Sequence, residues 1–402
     1  MLNFLWITIQ KYFNNYKGLP KICWLGFLLI FIDAVAGGII FFLSIYFVNN
    51  LALSIKIAGF IISSYGFGTV MGSLIGGKLS DTILPHIVVK ISLLLQAMGF
   101  IALIYLHSVF ILAINLFIIG ISAYSFKTSI NCWILHHAQQ QSELRLKILN
   151  IMRVASNAGL GISGTIIGLF AKNHFSLLLI LSGVIFFISA VIFVTNSGTP
   201  EAENIQHISS DVESKSFTYN KKVLLVILIF VFFIGIMIAQ LGTTYPIFIQ
   251  NTFKELGIQA VSILFILDTL LIVIFQAPLV NLLKKANKIL FTGIGGFLMG
   301  FGMLILNVSS FFYLAIISCV LWTTGEMLFI PLAQLICYEK GLKKNQGKRI
   351  GAYQAVYAFG TICGPVFCSQ IYFYYGSEML WYAFGVVGIC CFLVCNYFKK
   401  YA

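Results

Sequence analysis

The sequence predicts an all-α polytopic membrane protein that crosses the bilayer twelve times, in two halves of six helices. Three observations lead there. Hydrophobic residues fill 60% of the 402 positions and charged residues only 9%, against about 45–50% and about 25% in soluble domains. The apolar residues run on for about 20 positions at a time, the length a helix needs to cross the hydrocarbon core. The charges are confined to short islands between those runs. A soluble enzyme, a disordered chain and a collagen are excluded, and so is a porin, whose short strands alternate polar and apolar residues.

Reading apolar runs between breakers gives spans 1 to 12 at 23–48, 58–78, 87–106, 109–132, 151–171, 175–195, 222–250, 258–281, 289–307, 311–335, 351–375 and 379–398. Span 1 is too long for a cleaved signal peptide, contains Asp33 and is followed by many more spans. Span 2 is punctuated by Gly59, Gly66, Gly68, Gly72, Gly76 and Gly77, small residues that let helices approach closely and slide. Between spans 4 and 5 a polar stretch (HHAQQQSELRLK) opens with His136 and His137. Adjacent histidines do not share a helix face and no third ligand is near, so no metal site is expected. After span 6 comes the one long polar segment, rich in acids, Ser and Asn, with too few apolar residues to bury. It is read as a linker over 196–221, separating a half at 1–195 from a half at 222–402.

The halves echo one another. Arg153 and Gly164-Thr165-Ile166-Ile167-Gly168 in span 5 match Arg349 and Gly360-Thr361-Ile362-Cys363-Gly364 in span 11, with an offset of 196 residues. The end of span 1 (Tyr46 to Asn50) resembles Ile247 to Asn251 in span 7. Parallel-related halves are an architecture that lets a central site open to each side in turn.

Charge fixes the expected direction. With the N-terminus inside, every one of the 25 Lys/Arg except Lys56, Lys172 and Lys254 falls on the cytoplasmic side, as the positive-inside rule requires. Both termini are therefore expected in the cytoplasm. The net charge of +13 reports this loop bias; no basic domain exists and no nucleic-acid partner is expected. All nine cysteines lie in or at the ends of apolar runs without a C-x-x-C pair, and read as reduced, packed thiols.

Several motifs resemble those of the major facilitator superfamily, and the likeness spans essentially the whole chain. Gly77-Lys78-Leu79-Ser80-Asp81 resembles the family's loop motif after span 2, although the basic residues expected next are replaced by Thr82 through His86. Ala239-Gln240 with Thr244-Tyr245-Pro246, Leu267 to Leu271 with Phe275 to Leu279, and Thr324 to Pro331 are similar to MdtH-like bacterial drug exporters. The paired-glycine antiporter pattern of span 5 is degraded, since Thr165 stands where proline is expected, and the oligopeptide-symporter signature of span 1 is absent. The resemblance implies a secondary transporter in which Asp81, with Gly77, helps lock the cytoplasmic gate, Arg153 and Arg349 being grouped with them.

Three acids, Asp33, Asp268 and Glu326, lie inside spans. An ionised carboxylate at a helix centre costs at least about 2.5–3.5 kcal/mol, so each is expected to face a cavity, be paired or carry a proton. A carboxylate withdrawn from water takes up a proton more readily, which is what coupling to a proton gradient requires. Structural hydrogen bonding is the alternative role. Trp322 stands four residues before Glu326 and is expected on the same helix side, where ring and charge would suit an amphipathic cation; in a chain with 15% aromatics, packing is the commoner role for it and for the tyrosines. Tyr245, Gln276, Tyr353, Tyr357 and Lys127 complete the expected substrate cavity. Lys127 and Arg153, near span ends, are expected to snorkel outward; turned inward, Lys127 would neutralise an acid or hold an anionic cargo.

The expected function is proton-coupled transport of a small organic solute across a bacterial inner membrane, with export of cationic or amphipathic compounds first. A siderophore or metabolite carrier is second. No Walker motif occurs, which excludes ATP-driven transport by this chain, and no nucleophile–base spacing suggests an enzyme. A receptor that has lost transport would not need the three acids. The expected partners are the solute, protons and the bilayer, with the proton gradient in place of a cofactor and a monomer as the working unit.

Overall fold

The structure, a computed structural model, describes residues 17–137, 142–196, 221–283, 286–308, 311–339 and 345–401. These residues form helices and short connections, with no strand among them. Ten of the helices are long and apolar enough to cross a membrane. Two features bring the spans to twelve. The helix Gln346–Phe398 is broken at Gly376, whose φ of +82° suits glycine, and so makes spans 11 and 12. The helix Ser142–Asn196 is likewise two spans, bent at His174 (φ −132°), and the sequence of its first arm holds a run from Val154 to Ala171 without a charged residue. The linker expected over 196–221 lies almost wholly outside the described residues.

Spans 1 and 7 are each interrupted. Span 1 is Lys21–Gly37, a 3-10 turn Gly38–Phe42, then Leu43–Asn49. Span 7 is Lys221–Ala239, a 3-10 turn Gln240–Gly242, then Thr244–Thr252. Pro246 is tolerated because it falls in the first turn of the restarted helix, where no i−4 bond is lost. Gln240, fully buried, braces this break: its Nε2 donates to the Ile236 carbonyl at 2.9 Å, and its Oε1 accepts from the Thr244 hydroxyl at 2.7 Å.

Span 5 begins at Ser142, nine residues before the sequence expectation. The reason is amphipathicity: Leu146, Ile148 and Leu149 are buried, and the residues from Ser142 to Lys147, which read as part of a loop, open a helix with one apolar side. The remaining spans are Ile55–Thr82, Pro85–Ala102, Val109–His136, Ile258–Leu283, Lys288–Ile305 and Phe312–Glu339 for spans 2, 3, 4, 8, 9 and 10.

Matched contacts define the relation between the halves. Gly159 of span 5 packs on Phe31 and Ala34 of span 1, and Gly360 of span 11 packs on Phe232 and Gly235 of span 7. Phe31 and Phe232, Ala34 and Gly235, and Gly159 and Gly360 are each 201 residues apart. The Asn115 amide donates to the Gly99 carbonyl at 3.0 Å, and the Ser318 hydroxyl does the same to Gly302 at 2.6 Å, in corresponding span pairs 3/4 and 9/10. The sequence echo at 196 is therefore out of structural register: a Cβ on Gly164 would meet open space, whereas one on Gly360 would strike backbone. The weaker echo, Tyr46 to Asn50 with Ile247 to Asn251, has the structural offset.

The two halves meet along span 2 with span 11 and span 5 with span 8. Lys17, Lys147, Asn287, Lys288, Glu339 and Lys399 gather at one end of the bundle, joined by Lys147 to the Lys17 carbonyl, Asn287 to the Lys399 carbonyl and Lys288 to Glu339. This end is the basic face. One apolar cluster built from the first half also takes in Leu328, Leu332, Leu335, Tyr338 and Ile350 of the second, while a separate cluster fills the second half alone. The shared core is what closes the halves together toward the basic face.

Candidate functional site

The charged residues inside the spans gather at mid-depth, where both halves contribute. Arg153 of span 5 does not snorkel to the interface. Its Nη2 lies 2.6 Å from Glu326 Oε1 of span 10, an ion pair between the halves whose side chains are 15% and 10% exposed. At that depth, reaching inward to a carboxylate compensates a charge better than reaching outward through lipid. Asp268 of span 8, partly exposed, accepts from the Thr323 hydroxyl of span 10 at 2.9 Å. It senses the charges of both Glu326 and Arg153. Tyr357 of span 11 joins the same electrostatic neighbourhood and links it to Tyr124 of span 4.

Asp33 of span 1 and Lys127 of span 4 form the other side. Lys127 also turns inward, with its ammonium 4.8 Å from the Tyr124 ring centroid. It interacts with Asp33 through the field alone, with no ion pair within 4.0 Å between them. Tyr65 of span 2 lies close enough to feel Asp33 and Tyr124.

Four residues expected in the cavity are instead packed away. Trp322, 1% exposed, sits against the backbone of Gly302 and meets Tyr245 edge-on, with ring centroids 6.4 Å apart, in the core of the second half. The four-residue spacing from Glu326 does bring the two onto neighbouring turns, but the indole packs on Tyr245 within the second half. Tyr353 is buried and donates to the Ile330 carbonyl at 3.3 Å. Gln276 is fully buried at the seam: its Nε2 donates to Asn150 Oδ1 of the first half and to the Met327 carbonyl at 3.0 Å. Tyr357 and Lys127 remain partly exposed.

Of the four residues expected at the gate, Gly77, Asp81 and Arg349 lie toward the basic face, whereas Arg153 is the mid-depth partner of Glu326. Asp81 of span 2 accepts from two backbone N–H groups at the start of span 11, Gly347 to Oδ1 at 2.6 Å and Lys348 to Oδ2 at 2.8 Å. A carboxylate from one half thus caps a helix of the other, satisfying orphan donors and the positive end of the helix dipole together. Gly77, one turn earlier, packs against Gly347 and Gly351. Arg349 works within the second half, where its Nε and Nη2 bind the Cys337 and Tyr338 carbonyls, both at 2.9 Å, near the end of span 10. Asp81→Asn removes the charge and turns half of the acceptor into a donor. It is expected to cost about 0.5–2 kcal/mol of basic-face closure, seen as faster cysteine labelling at the seam, with unchanged helix content by circular dichroism.

Sequence reasoning missed a second inter-half tie. Glu339 at the end of span 10 bridges Arg145 of span 5 at 3.3 Å and Lys288 of span 9 at 2.8 Å, and Lys288 also binds Ser142. The signal available was an acid among basic residues at span ends. Asn150 and Thr323 carried none.

A helical bundle of twelve spans, closed at one face by ties between two halves and holding charged groups at mid-depth, defines a secondary transporter as its class. The chain belongs to the Major Facilitator Superfamily, whose family model matches residues 24–341, and it is a multi-pass membrane transport protein, not an enzyme. Two relatives are the uncharacterized MFS-type transporters YttB and YhjO of Bacillus subtilis (strain 168). YttB is 26% identical over 352 residues, with 84% of each chain covered. YhjO is 23% identical over 349 residues, covering 86% of this chain and 84% of its own. Among solved structures the fold is similar to the human organic anion transporter MFSD10 (TM-score 0.71, 11% identity, 94% of this chain and 100% of that one). It is also similar to the proton:xylose symporter XylE (TM-score 0.69, 14% identity, 97% and 96%).

Proposed function

We propose that this chain is a proton-coupled transporter that exports small cationic or amphipathic organic solutes by alternating access. It works as a monomer in a bacterial inner membrane, with the basic face and both termini in the cytoplasm, in line with the positive-inside rule. The observation that carries the reading is Asp268. It is an acid at mid-depth whose direct partner is a neutral hydroxyl, while the adjacent cation, Arg153, is held by Glu326. Asp268 is therefore the carboxylate left to exchange between a proton and a cationic cargo. When protonated it no longer adds to the negative field at Glu326, and the Arg153–Glu326 tie stays closed. When it is ionised, two carboxylates compete for one guanidinium, and the tie loosens. The proton gradient supplies the energy and no cofactor is required.

Proton flux in proteoliposomes, read with a trapped pH dye against a panel of cationic drugs and carboxylate chelators, tests this. A cargo-dependent pH change should fall to background in Asp268→Asn and survive, reduced, in Asp33→Asn and Glu326→Gln. Cargo movement without proton movement in the wild type would rule coupling out. A second reading, a carrier of anionic metabolites or siderophores, is favoured by Lys127, which has no carboxylate in contact. It predicts that the chelators move and that Lys127→Met stops them.

A further inference from the structure

We infer that Asp33 and Lys127 bracket a cargo subsite in the first half that takes a compact zwitterion, with its cationic group on Asp33 and its anionic group on Lys127. The inference deepens the transport reading, on which it rests, by naming the class of cargo.

Of the five charged side chains at mid-depth, three are already engaged: Arg153 with Glu326 at 2.6 Å, and Asp268 with Thr323 at 2.9 Å. Asp33 and Lys127 are not. Asp33 is 7% exposed and, among the described residues, has no hydrogen bond or ion pair. Lys127 has the Tyr124 ring and, among the described residues, no hydrogen-bond acceptor. The two sense one another's charge, yet no nitrogen–oxygen approach falls within 4.0 Å.

A structural ion pair does not have this geometry. In a low-dielectric interior the attraction between two charges offsets their desolvation only when they touch and are hydrogen-bonded, and a lysine stem is long and flexible enough to close such a gap. Here the ammonium rests 4.8 Å from a tyrosine ring centroid and makes no ion pair within 4.0 Å with the carboxylate whose field it shares. Two opposite charges held apart within a bundle fit a ligand that carries the complementary pair: an ammonium to meet Asp33 and a carboxylate or similar anion to meet Lys127. Tyr65 and Tyr124 supply hydroxyls and ring faces beside them, which suits a cation with apolar substituents. A cation without an anionic group gains nothing from Lys127, and an anion without a cationic group gains nothing from Asp33, so a cargo that carries both uses the subsite fully.

Binding, not transport, tests this. The full chain in lipid nanodiscs is titrated by calorimetry with two matched series: tryptophan, tryptamine and N-acetyltryptophan, then carnitine, choline and acetate. A zwitterion is expected to bind at least about tenfold tighter than either singly charged analogue, the scale of one charge-assisted hydrogen bond. Asp33→Asn should lower zwitterion affinity about tenfold and leave the anion unaffected or improved; Lys127→Met should do the reverse for the cation. Neither variant breaks a hydrogen bond or an ion pair, so both are expected to fold, and the melting temperature checks this. The inference is overturned if tryptamine or choline binds as well as its zwitterion and Lys127→Met changes nothing. It is equally overturned if neither zwitterion binds the wild type at millimolar concentration. A zwitterion that binds but moves no protons would sink the coupling reading and leave the subsite standing, so the two failures are distinguishable.

Discussion

Arg153→Met is expected to destabilise the protein by about 3–5 kcal/mol, the scale observed when one member of a buried ion pair is removed and the other is left without compensation. Glu326, 7% exposed, would then sit in the span interior within the field of a second acid, Asp268. The loss is specific to the conformation in which the basic face is closed, because Arg153 and Glu326 belong to different halves. Opening the face hydrates both charges, so the variant should shift the conformational balance toward the open state by at least about a hundredfold. Spin labels at Lys78 and Lys348, both exposed at the seam, would read this as a longer inter-label distance. Arg153→Met with Glu326→Gln should restore most of the thermal stability, since the uncompensated charge is gone. If the double variant is no more stable than the single, the pair is not what holds the seam.

Gly77→Val should have a comparable effect by a different mechanism. A Cβ at position 77 would lie 2.5 Å from the Gly347 carbonyl oxygen and 2.9 Å from the Gly351 Cα. Those are backbone atoms, which cannot rotate aside, so the two helices must part. Overpacking costs about 1–3 kcal/mol even where side chains can yield. Parting the helices also pulls Asp81 from the Gly347 and Lys348 amides, and the two losses act on the same closed face. Transport is expected to fail while each half keeps its own packing and helix content. Gly59→Val, on the same span with nothing within 4 Å of its Cβ, is the control and should transport normally. Equal behaviour of the two variants would remove close helix approach as the basis of closure. The reciprocal change Gly347→Val meets the Gly77 carbonyl at 2.5 Å and Asp81 at 2.8 Å, and should reproduce the Gly77 result.

These two expectations depend unequally on what could be read from the chain. Gly77 and Asp81 carry a recognisable motif, and their partners at the start of span 11 follow once the fold is known. Arg153 and Glu326 carry nothing in their local sequence that pairs them across 173 positions. Trp322 shows the converse: a spacing of four relates it to Glu326 along the helix, yet its indole packs edge-on to Tyr245 in the core of the second half, the packing role that an aromatic-rich chain favours at any single position. Gln276 was grouped with cavity residues and is a seam residue bonded to Asn150. Span 5 begins at Ser142 because apolar side chains on one side of a charged helix find a core, and a composition window averages that face away. The repeat register failed for a related reason. A run of identical letters at an offset of 196 outweighed a vaguer likeness at 201, but packing selects the offset that puts small residues where two helices touch.

The sequence by itself determined the all-helical class, the number of spans, the basic bias of one side and the presence of acids at mid-depth. Each of these follows from a cost summed along the chain, since a span is a local run of apolar residues and a charge within it is unfavourable wherever the helix ends up. The tertiary structure decided how those charges are used: Arg153 tied to Glu326, Asp268 left to a hydroxyl, Asp33 and Lys127 in one another's field without an ion pair. Pairing depends on the rotation of each helix about its axis and on which helix lies beside it. Both are set by close packing between residues far apart in the chain, at contacts such as Gly77 on Gly347.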